Sequence, residues 1–209
     1  MDKGATLKRK WIEQLPNQLT ILRIILTPVF LLCLFSEGFV PKVLAAAIFL
    51  VASATDAYDG YIARKYQVVS SWGKFLDPLA DKILVLSAFA GIWYMGLFPL
   101  WMLLLIVLRD VSITGLRMFM RSRQTSLETS YFAKSKTAVQ MVAIYLILTF
   151  FIVREWSVFS GVHGQLLSIE AHGGIWILIL LVTLLTVASG LHYFYVNRST
   201  IRRLLLSDS

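Results

Sequence analysis

The sequence from 43 to 81 reads VLAAAIFLVASATDAYDGYIARKYQVVSSWGKFLDPLAD, and it joins an apolar run to four aspartates. Further apolar runs occur at 24–35, 83–108, 138–153 and 175–191. These runs are too long and too continuous for the helices of a soluble domain, whereas a spanning helix needs about 20 mostly apolar residues. The pattern therefore predicts a polytopic membrane protein.

The composition agrees with this prediction, because 57% of the residues are hydrophobic and 15% are charged, with a mean hydropathy of +0.72. A soluble domain is usually about a quarter charged and less than half apolar. The formal net charge of +8 would suggest nucleic-acid binding in a soluble protein. Here the basic residues lie between apolar runs, so membrane topology explains them and no nucleic-acid partner is expected.

Turn residues between the apolar runs predict an all-α bundle of six transmembrane helices, near 17–36, 42–65, 76–96, 100–122, 132–153 and 174–197. Six spans place both termini on one side. Of the 20 Lys and Arg residues, only Lys42 and Arg154 fall near the opposite side, and the other 18 lie toward the termini. The positive-inside rule makes the terminal side cytoplasmic. The predicted domain is 16–200, between a juxtamembrane segment, 1–15, and a cytoplasmic tail, 201–209.

The juxtamembrane segment is polar and basic, with Trp11 and Ile12 as a short apolar face. We expect an amphipathic helix that lies on the membrane surface, with the basic residues 8–10 at anionic headgroups. An ordinary basic flank that only sets the orientation is the alternative.

Four carboxylates stand where the second helix ends and the third begins: Asp56, Asp59, Asp77 and Asp81. The spacings i, i+3 and i, i+4 present each pair from one helix face, and the turn between the helices lets the pairs converge. Carboxylates this close resist ionising together in a partly dry site, and cations resolve that conflict. Oxygen ligands suit Mg²⁺, and two such ions can neutralise a pyrophosphate. Helix caps and ion pairs with nearby Lys and Arg are the structural alternative.

Two glycines and an arginine accompany the aspartates. Gly60 and Gly73 let the backbone approach a ligand closely, and Arg64 is a bidentate phosphate donor. The stretch resembles the signature of the CDP-alcohol phosphatidyltransferase family, whose eight fixed positions are all present, at Asp56, Asp59, Gly60, Ala63, Arg64, Gly73, Asp77 and Asp81.

The resemblance implies a homodimeric six-helix bundle of the bacterial inner membrane, with a polar active site facing the cytoplasm. It implies attack of an alcohol oxygen on the CDP-lipid phosphorus nearest the lipid, with release of CMP. Asp56, Asp59 and Asp77 would hold two Mg²⁺ or Mn²⁺ ions, and Asp81 would be a metal ligand, the general base, or both. The CDP pocket would comprise Asp56, Asp59, Gly60, Ala63, Arg64 and Gly73.

The first predicted helix carries a polar stripe, because Asn17, Thr20 and Arg23 recur every three residues in LPNQLTILR, 15–23. Asn17 and Thr20 are candidates for the CDP site. The alternative is that these residues cap the start of the helix.

A group of cations suggests a second anion besides the CDP diphosphate. The fourth helix carries RDVSITGLRMFMR and the fifth opens with AKSKTAVQM, at the same cytoplasmic level. The candidates for an acceptor phosphate are Arg109, Arg117, Lys134 and Lys136. The alternatives are that Arg121, Arg123 and the two lysines are positive-inside flanks and that Arg109 pairs with an acid in the bundle.

These segments are similar to those of family members that transfer the phosphatidyl group of CDP-diacylglycerol to glycerol 3-phosphate, giving phosphatidylglycerophosphate. The resemblance thus implies CDP-diacylglycerol, glycerol 3-phosphate and membrane lipids as partners. Phosphatidylglycerol, inositol phosphate and serine are alternative acceptors. A cation channel or transporter is a remote alternative, which predicts acids along the full membrane depth instead of a cluster at one end.

Overall fold

The computed structural model describes residues 3–66, 73–123, 131–156 and 173–207. Across those ranges the backbone forms six α-helices and no strand: α1 (Lys3–Phe35), α2 (Phe39–Tyr66), α3 (Gly73–Tyr94), α4 (Leu100–Ser122), α5 (Tyr131–Glu155) and α6 (Gly174–Ser207). This confirms the all-helical class predicted from the sequence.

Glycines with positive φ mark two of the helix junctions. Gly38, between α1 and α2, has φ of 97°, and Gly96, between α3 and α4, has φ of 77°. This region of backbone space disfavours residues that carry a Cβ atom. The amide of Gly96 also donates a hydrogen bond of 2.8 Å to the carbonyl of Trp93, which forms a turn directly after the end of α3.

The amino-terminal region differs from the sequence prediction, which divided it at Pro16. Helix α1 is continuous from Lys3 to Phe35, so the predicted surface helix and the first span are one element. A proline marks only a probable helix boundary, and proline-containing helices are the known exception. That the first 15 residues lie on a membrane surface stays a prediction.

The carboxyl-terminal helix also runs further than predicted. The sequence prediction ended it near 197 and treated 201–209 as a tail, whereas α6 continues to Ser207. No glycine or proline follows Gly190, so the sequence contains no helix-breaking residue in this segment.

Packing divides the chain into two compact units: Met1–Gly91 with Leu148–Phe159, and Ile92–Ile147 with Ser160–Ser209. In the first unit, α1 and α2 pack along a seam in which buried residues alternate at spacings of three and four. The α1 stripe is Thr20, Arg23, Thr27, Phe30 and Leu34, and the α2 stripe is Lys42, Ala45, Phe49 and Ala52. Such 3–4 spacing is the pattern of left-handed helix pairs.

Three contacts show that α1 and α2 run antiparallel. Lys42 Nζ donates to the carbonyl of Leu34 at 2.6 Å, at the end of the pair nearest the turn. Further along the seam, the rings of Phe30 and Phe49 lie 5.6 Å apart. At its far end, Arg23 contacts Ala52. The seam is therefore apolar in its middle and polar toward the end of α2 that carries the first two aspartates.

In the second unit, α4 and α6 pack against each other. Helix α6 contributes a buried polar stripe at a spacing of three residues, Thr183, Thr186 and Ser189. Gln140 of α5 donates to the hydroxyl of Thr186 at 3.5 Å. Hydrogen bonds of this kind between helices in a membrane are worth about 0.6 kcal/mol on average.

Two stretches within the described helices are long and apolar enough to cross a membrane, Lys136–Glu155 and Gly174–Arg202. Shorter apolar helical stretches occur at Thr20–Phe35, Phe39–Thr55 and Lys82–Tyr94. The predicted bundle of six spans therefore stays a prediction.

Candidate active site

The eight signature positions lie on two helices of the first unit. Helix α2 carries Asp56, Asp59, Gly60, Ala63 and Arg64 in its last three turns, and α3 begins at Gly73 and carries Asp77 and Asp81. The helical backbone places residues 56 and 59 on one side of α2, and residues 77 and 81 on one side of α3. The side chains of all eight positions lie outside the described part of the structure, as do residues 67–72.

The donor set of these positions is suited to a hard divalent cation. It consists of four carboxylates, the ligand type that Mg²⁺ and Mn²⁺ prefer in proteins. Among the side chains that the structure does describe, no group of three or more His, Cys, Asp or Glu residues comes together. The chemistry of the signature therefore fits a metal, and its four aspartates stay the predicted ligands.

Helix α1 contacts α2 one turn before the first aspartate. Thr20 and Arg23, from the predicted polar stripe, are both buried, and Arg23 Nε donates to the carbonyl of Ala52 at 3.3 Å. The hydroxyl of Thr55 donates to the same carbonyl at 2.8 Å. The side chain of Asn17 lies outside the described residues. Thr20 and Arg23 therefore do more than cap a helix start, because they lie in the α1–α2 seam.

The second unit contains a group of charged residues that we call the basic cluster: Arg109, Asp110 and Arg117 of α4, and Lys136 of α5. The Asp110 side chain is completely buried, and its Oδ1 atom accepts hydrogen bonds from Arg109 Nη1 at 3.2 Å and from Lys136 Nζ. Arg109 thus pairs with an acid, as the alternative interpretation predicted, and that acid is its neighbour in sequence, Asp110. The ion pair of Lys136 was not predicted.

Arg109 is seated against α6. Its Nη2 atom donates to the hydroxyl of Ser189 at 3.0 Å, and that hydroxyl donates in turn to the carbonyl of Thr186 at 2.8 Å. A Cβ atom at Gly190 would lie 2.8 Å from Arg109 Cγ, closer than real Cβ contacts occur. The glycine thus provides the space through which the arginine passes.

Arg117 differs from Arg109 and Lys136 because its side chain is exposed. Its Nε atom donates to the hydroxyl of Tyr193 at 3.3 Å, and its guanidinium carbon lies 5.1 Å from the centre of that ring. The Tyr193 side chain is buried. A buried ring therefore orients an exposed arginine, while Lys134, the fourth predicted phosphate ligand, has its side chain outside the described residues.

Sequence reasoning missed the α6 partners of the basic cluster, Ser189, Gly190 and Tyr193. A signal for them was present, because Thr183, Thr186 and Ser189 recur every three residues in an otherwise apolar stretch. Polar residues inside an apolar helix usually face the interior of a bundle. That stripe predicts which face of α6 is buried, although it does not predict which cation it contacts.

Comparisons with known proteins agree with the signature. A sequence model described as CDP-alcohol phosphatidyltransferase matches residues 13–167. A Mycobacterium tuberculosis protein named "Probable phosphatidylglycerophosphate synthase" is 41% identical over 69% of this chain and 70% of its own length. Proteins named CDP-diacylglycerol–glycerol-3-phosphate 3-phosphatidyltransferase are similar too: that of Rickettsia bellii is 41% identical over 65% of this chain and 75% of its own, and that of Bacillus subtilis is 38% identical over 64% and 76%. With its eight signature positions on α2 and α3 and a family match over most of its length, the chain belongs to the CDP-alcohol phosphatidyltransferase family.

Proposed function

We propose that this protein transfers the phosphatidyl group of CDP-diacylglycerol to glycerol 3-phosphate, giving phosphatidylglycerophosphate and CMP. The observation that carries the reaction type is the complete signature on α2 and α3. The names of the relatives support the acceptor, since several of them specify glycerol 3-phosphate.

In the proposed reaction, a hydroxyl oxygen of glycerol 3-phosphate attacks the phosphorus atom nearest the lipid. The bond from that phosphorus to the bridging oxygen breaks, and CMP leaves with the electron pair. Asp81 takes the proton of the attacking hydroxyl and is also a metal ligand. Phosphoryl chemistry of this kind depends mostly on positioning and charge neutralisation, so residues that orient the two substrates matter most.

Asp56, Asp59, Asp77 and Asp81 would hold two Mg²⁺ or Mn²⁺ ions. When bound, these ions would neutralise the diphosphate and polarise the attacking and leaving oxygens. Gly60, Ala63, Arg64 and Gly73, with Asn17 and Thr20 of α1, would line the CDP pocket. A planar guanidinium at position 64 matches phosphate oxygens in a bidentate geometry.

We further propose that the acceptor's phosphate binds to the basic cluster and Lys134. Arg109 and Lys136 of the cluster both contact the Asp110 carboxylate. Arg117, on α4, is the third cation and contacts Tyr193. Arg117 is the main ligand in this proposal, because it is exposed and its guanidinium is oriented by Tyr193. Arg109 and Lys136, which Asp110 holds, would supply charge behind it.

The proposed location is the inner membrane of a bacterium, with six spans and with both termini and the active site in the cytoplasm. Exposed leucines support contact with membrane lipids, since Leu32 of α1, Leu108 of α4 and Leu191 of α6 are 69%, 66% and 67% exposed. Large apolar side chains that are this exposed suit contact with lipid or with another protein better than contact with water. We also propose that the protein is a homodimer, as the family resemblance implies. We expect no nucleic-acid partner.

An acceptor competition assay tests the proposed substrate. Purified protein would receive CDP-diacylglycerol and radiolabelled glycerol 3-phosphate, with unlabelled phosphatidylglycerol, inositol phosphate or serine as competitors. We expect label in the lipid product and no competition at equal concentrations. Efficient competition by one of these alcohols, or transfer to it in place of glycerol 3-phosphate, would identify a different acceptor and contradict the proposal.

A further inference from the structure

Arg23 is one of the largest fully buried side chains that the structure describes, with 1% of its surface exposed. Arginine is almost never this buried unless it is engaged, because its charge is costly to remove from water. It lies on the α1 stripe between Thr20 and Thr27, and Thr27 Oγ1 donates to its backbone carbonyl at 2.9 Å. Arg23 therefore lies on the buried face of α1, from which its side chain reaches α2.

The atom that Arg23 contacts has a special position on α2. Arg23 Nε donates at 3.3 Å to the carbonyl of Ala52, and Thr55 Oγ1 donates to the same oxygen at 2.8 Å. In an α-helix this carbonyl is also the acceptor for the amide of the residue four positions later, which is Asp56. Arg23 therefore holds the backbone of the helical turn that begins at Ala52 and leads into Asp56.

The register of the α1–α2 seam also relates Arg23 to residue 56. The buried α2 stripe, Lys42, Ala45, Phe49 and Ala52, advances by three and four residues, and the next position in this sequence of steps is 56. On α1 the same steps lead from Leu34 back through Arg23 to Thr20. Because Arg23 is at the level of Ala52 in this antiparallel pair, Thr20 is at the level of residue 56. By helical register, position 56 is thus the next step of this series along the α2 backbone.

We propose that Arg23 is a positioning residue for Asp56: it fixes the height and rotation of the α2 turn from which Asp56 reaches the metal. The inference rests on the proposed function, because it takes Asp56 as a metal ligand. Arg23 itself acts through the Ala52 carbonyl. A positioning role and a purely electrostatic role predict opposite signs for the loss of Arg23. Loss of a positioning residue weakens metal binding, whereas loss of a nearby positive charge strengthens the binding of a cation.

The experiment measures Mn²⁺ binding to the full-length protein in detergent without substrates, from the electron paramagnetic resonance signal of free Mn²⁺. Arg23→Met removes the donor and the charge at similar length, and Arg23→Lys keeps the charge but loses the rigid fork. Thr27→Val is the matched control, because Thr27 is buried on the same α1 stripe and its hydroxyl donates to a carbonyl of α1 itself. Thermal unfolding without metal is recorded for every variant.

We expect the Mn²⁺ dissociation constant of Arg23→Met to rise about 10–100-fold, the range typical for groups that orient metal ligands. The Mn²⁺ dissociation constant of Arg23→Lys should lie between those of Arg23→Met and wild type, and Thr27→Val should bind Mn²⁺ like wild type. In Arg23→Met, activity should recover as the Mn²⁺ concentration is raised, which a merely structural defect would not allow. Unchanged or tighter Mn²⁺ binding in Arg23→Met would overturn the inference, as would wild-type binding in Arg23→Lys if Arg23→Met does not fold.

The same titration separates this inference from the proposed function. A wild-type protein that binds no Mn²⁺, or an Asp59→Asn variant that binds it like wild type, would count against the metal site itself. A wild-type protein that binds Mn²⁺ while Arg23→Met binds it equally well would count against the positioning role alone.

Discussion

At the scale of the residue, Asp110 shows how one buried carboxylate organises several cations. Its Oδ1 atom accepts from both Arg109 and Lys136, and the Asp110 side chain is completely buried. Breaking a buried ion pair by removing one partner typically costs about 3–5 kcal/mol, because a buried charge stays uncompensated. Removing the Asp110 carboxylate alone should therefore destabilise the second unit, whatever the cations bind.

Arg117 is the residue whose replacement tests the acceptor site most directly. Arg117→Lys keeps the charge and loses the planar fork. We therefore expect KM for glycerol 3-phosphate to rise by a factor that corresponds to roughly 1.5–3 kcal/mol of binding free energy, the contribution of one charged hydrogen bond. KM for CDP-diacylglycerol should change little. The measurement is steady-state kinetics on purified protein with each substrate varied in turn.

Two further variants control for this result. Arg123→Lys makes the same chemical change at an exposed arginine that stacks on Phe119, and we expect a normal KM for both substrates. Tyr193→Phe keeps the ring beneath Arg117 and removes the hydroxyl acceptor, so it should raise the acceptor's KM less than Arg117→Lys does. If Arg117→Lys left KM for glycerol 3-phosphate unchanged, the phosphate would have to bind elsewhere.

At the scale of the element, the approach of α4 to α6 depends on Gly190. Gly190→Ala would place a Cβ atom 2.8 Å from Arg109 Cγ, so the arginine must shift away from Ser189. Overpacking of this kind costs typically about 1–3 kcal/mol of stability. We expect Gly190→Ala to lower the unfolding midpoint in an SDS titration and to raise KM for glycerol 3-phosphate.

Gly115 of α4 provides the matched control, since nothing lies within 4 Å of a Cβ atom added there. Gly115→Ala should stabilise α4 by up to about 1 kcal/mol through helix propensity alone. Equal effects of the two substitutions would show that Gly190 does not provide space for Arg109.

The sequence predicted the helices better than the contacts between them, and the reason is physical. Apolar runs and glycine turns are local signals, so the six helices were found at approximately their observed places. The helix start predicted at Pro16 was wrong, because one proline does not oblige a helix to end and α1 continues through it. Lys136 and its partner Asp110 are 26 residues apart along the chain, and Arg109 and Ser189 are 80 apart, so only tertiary packing brings them together.

In the candidate site, too, the sequence predicted local features but not the contacts between helices. The spacing of the aspartates predicted which residues share a helix face, because that follows from helical geometry. The stripe of Asn17, Thr20 and Arg23 was visible in the sequence, but its partner on α2 was not. The contact between Arg23 and Ala52 depends on the antiparallel register of α1 and α2, which side-chain packing along the whole seam determines.

At the scale of the whole molecule, the proposed six spans make a topological prediction. Single cysteines at Ser71 and Gly161, placed in a Cys33→Ser background, should react with a membrane-impermeant reagent from opposite faces of the membrane. Ser71 lies in the predicted cytoplasmic turn and Gly161 in the predicted outer segment, and both are outside the described residues. Labelling of both cysteines from one side would mean that the number of spans is wrong.

The most direct test of the central claim is product identification with purified protein, CDP-diacylglycerol, glycerol 3-phosphate and Mg²⁺. We predict phosphatidylglycerophosphate, identified by thin-layer chromatography, and an equal amount of CMP. EDTA should stop both products reversibly, and Asp59→Asn should reduce them by orders of magnitude without unfolding the protein. Full activity in chelator, or no CMP release from these two substrates, would contradict the account.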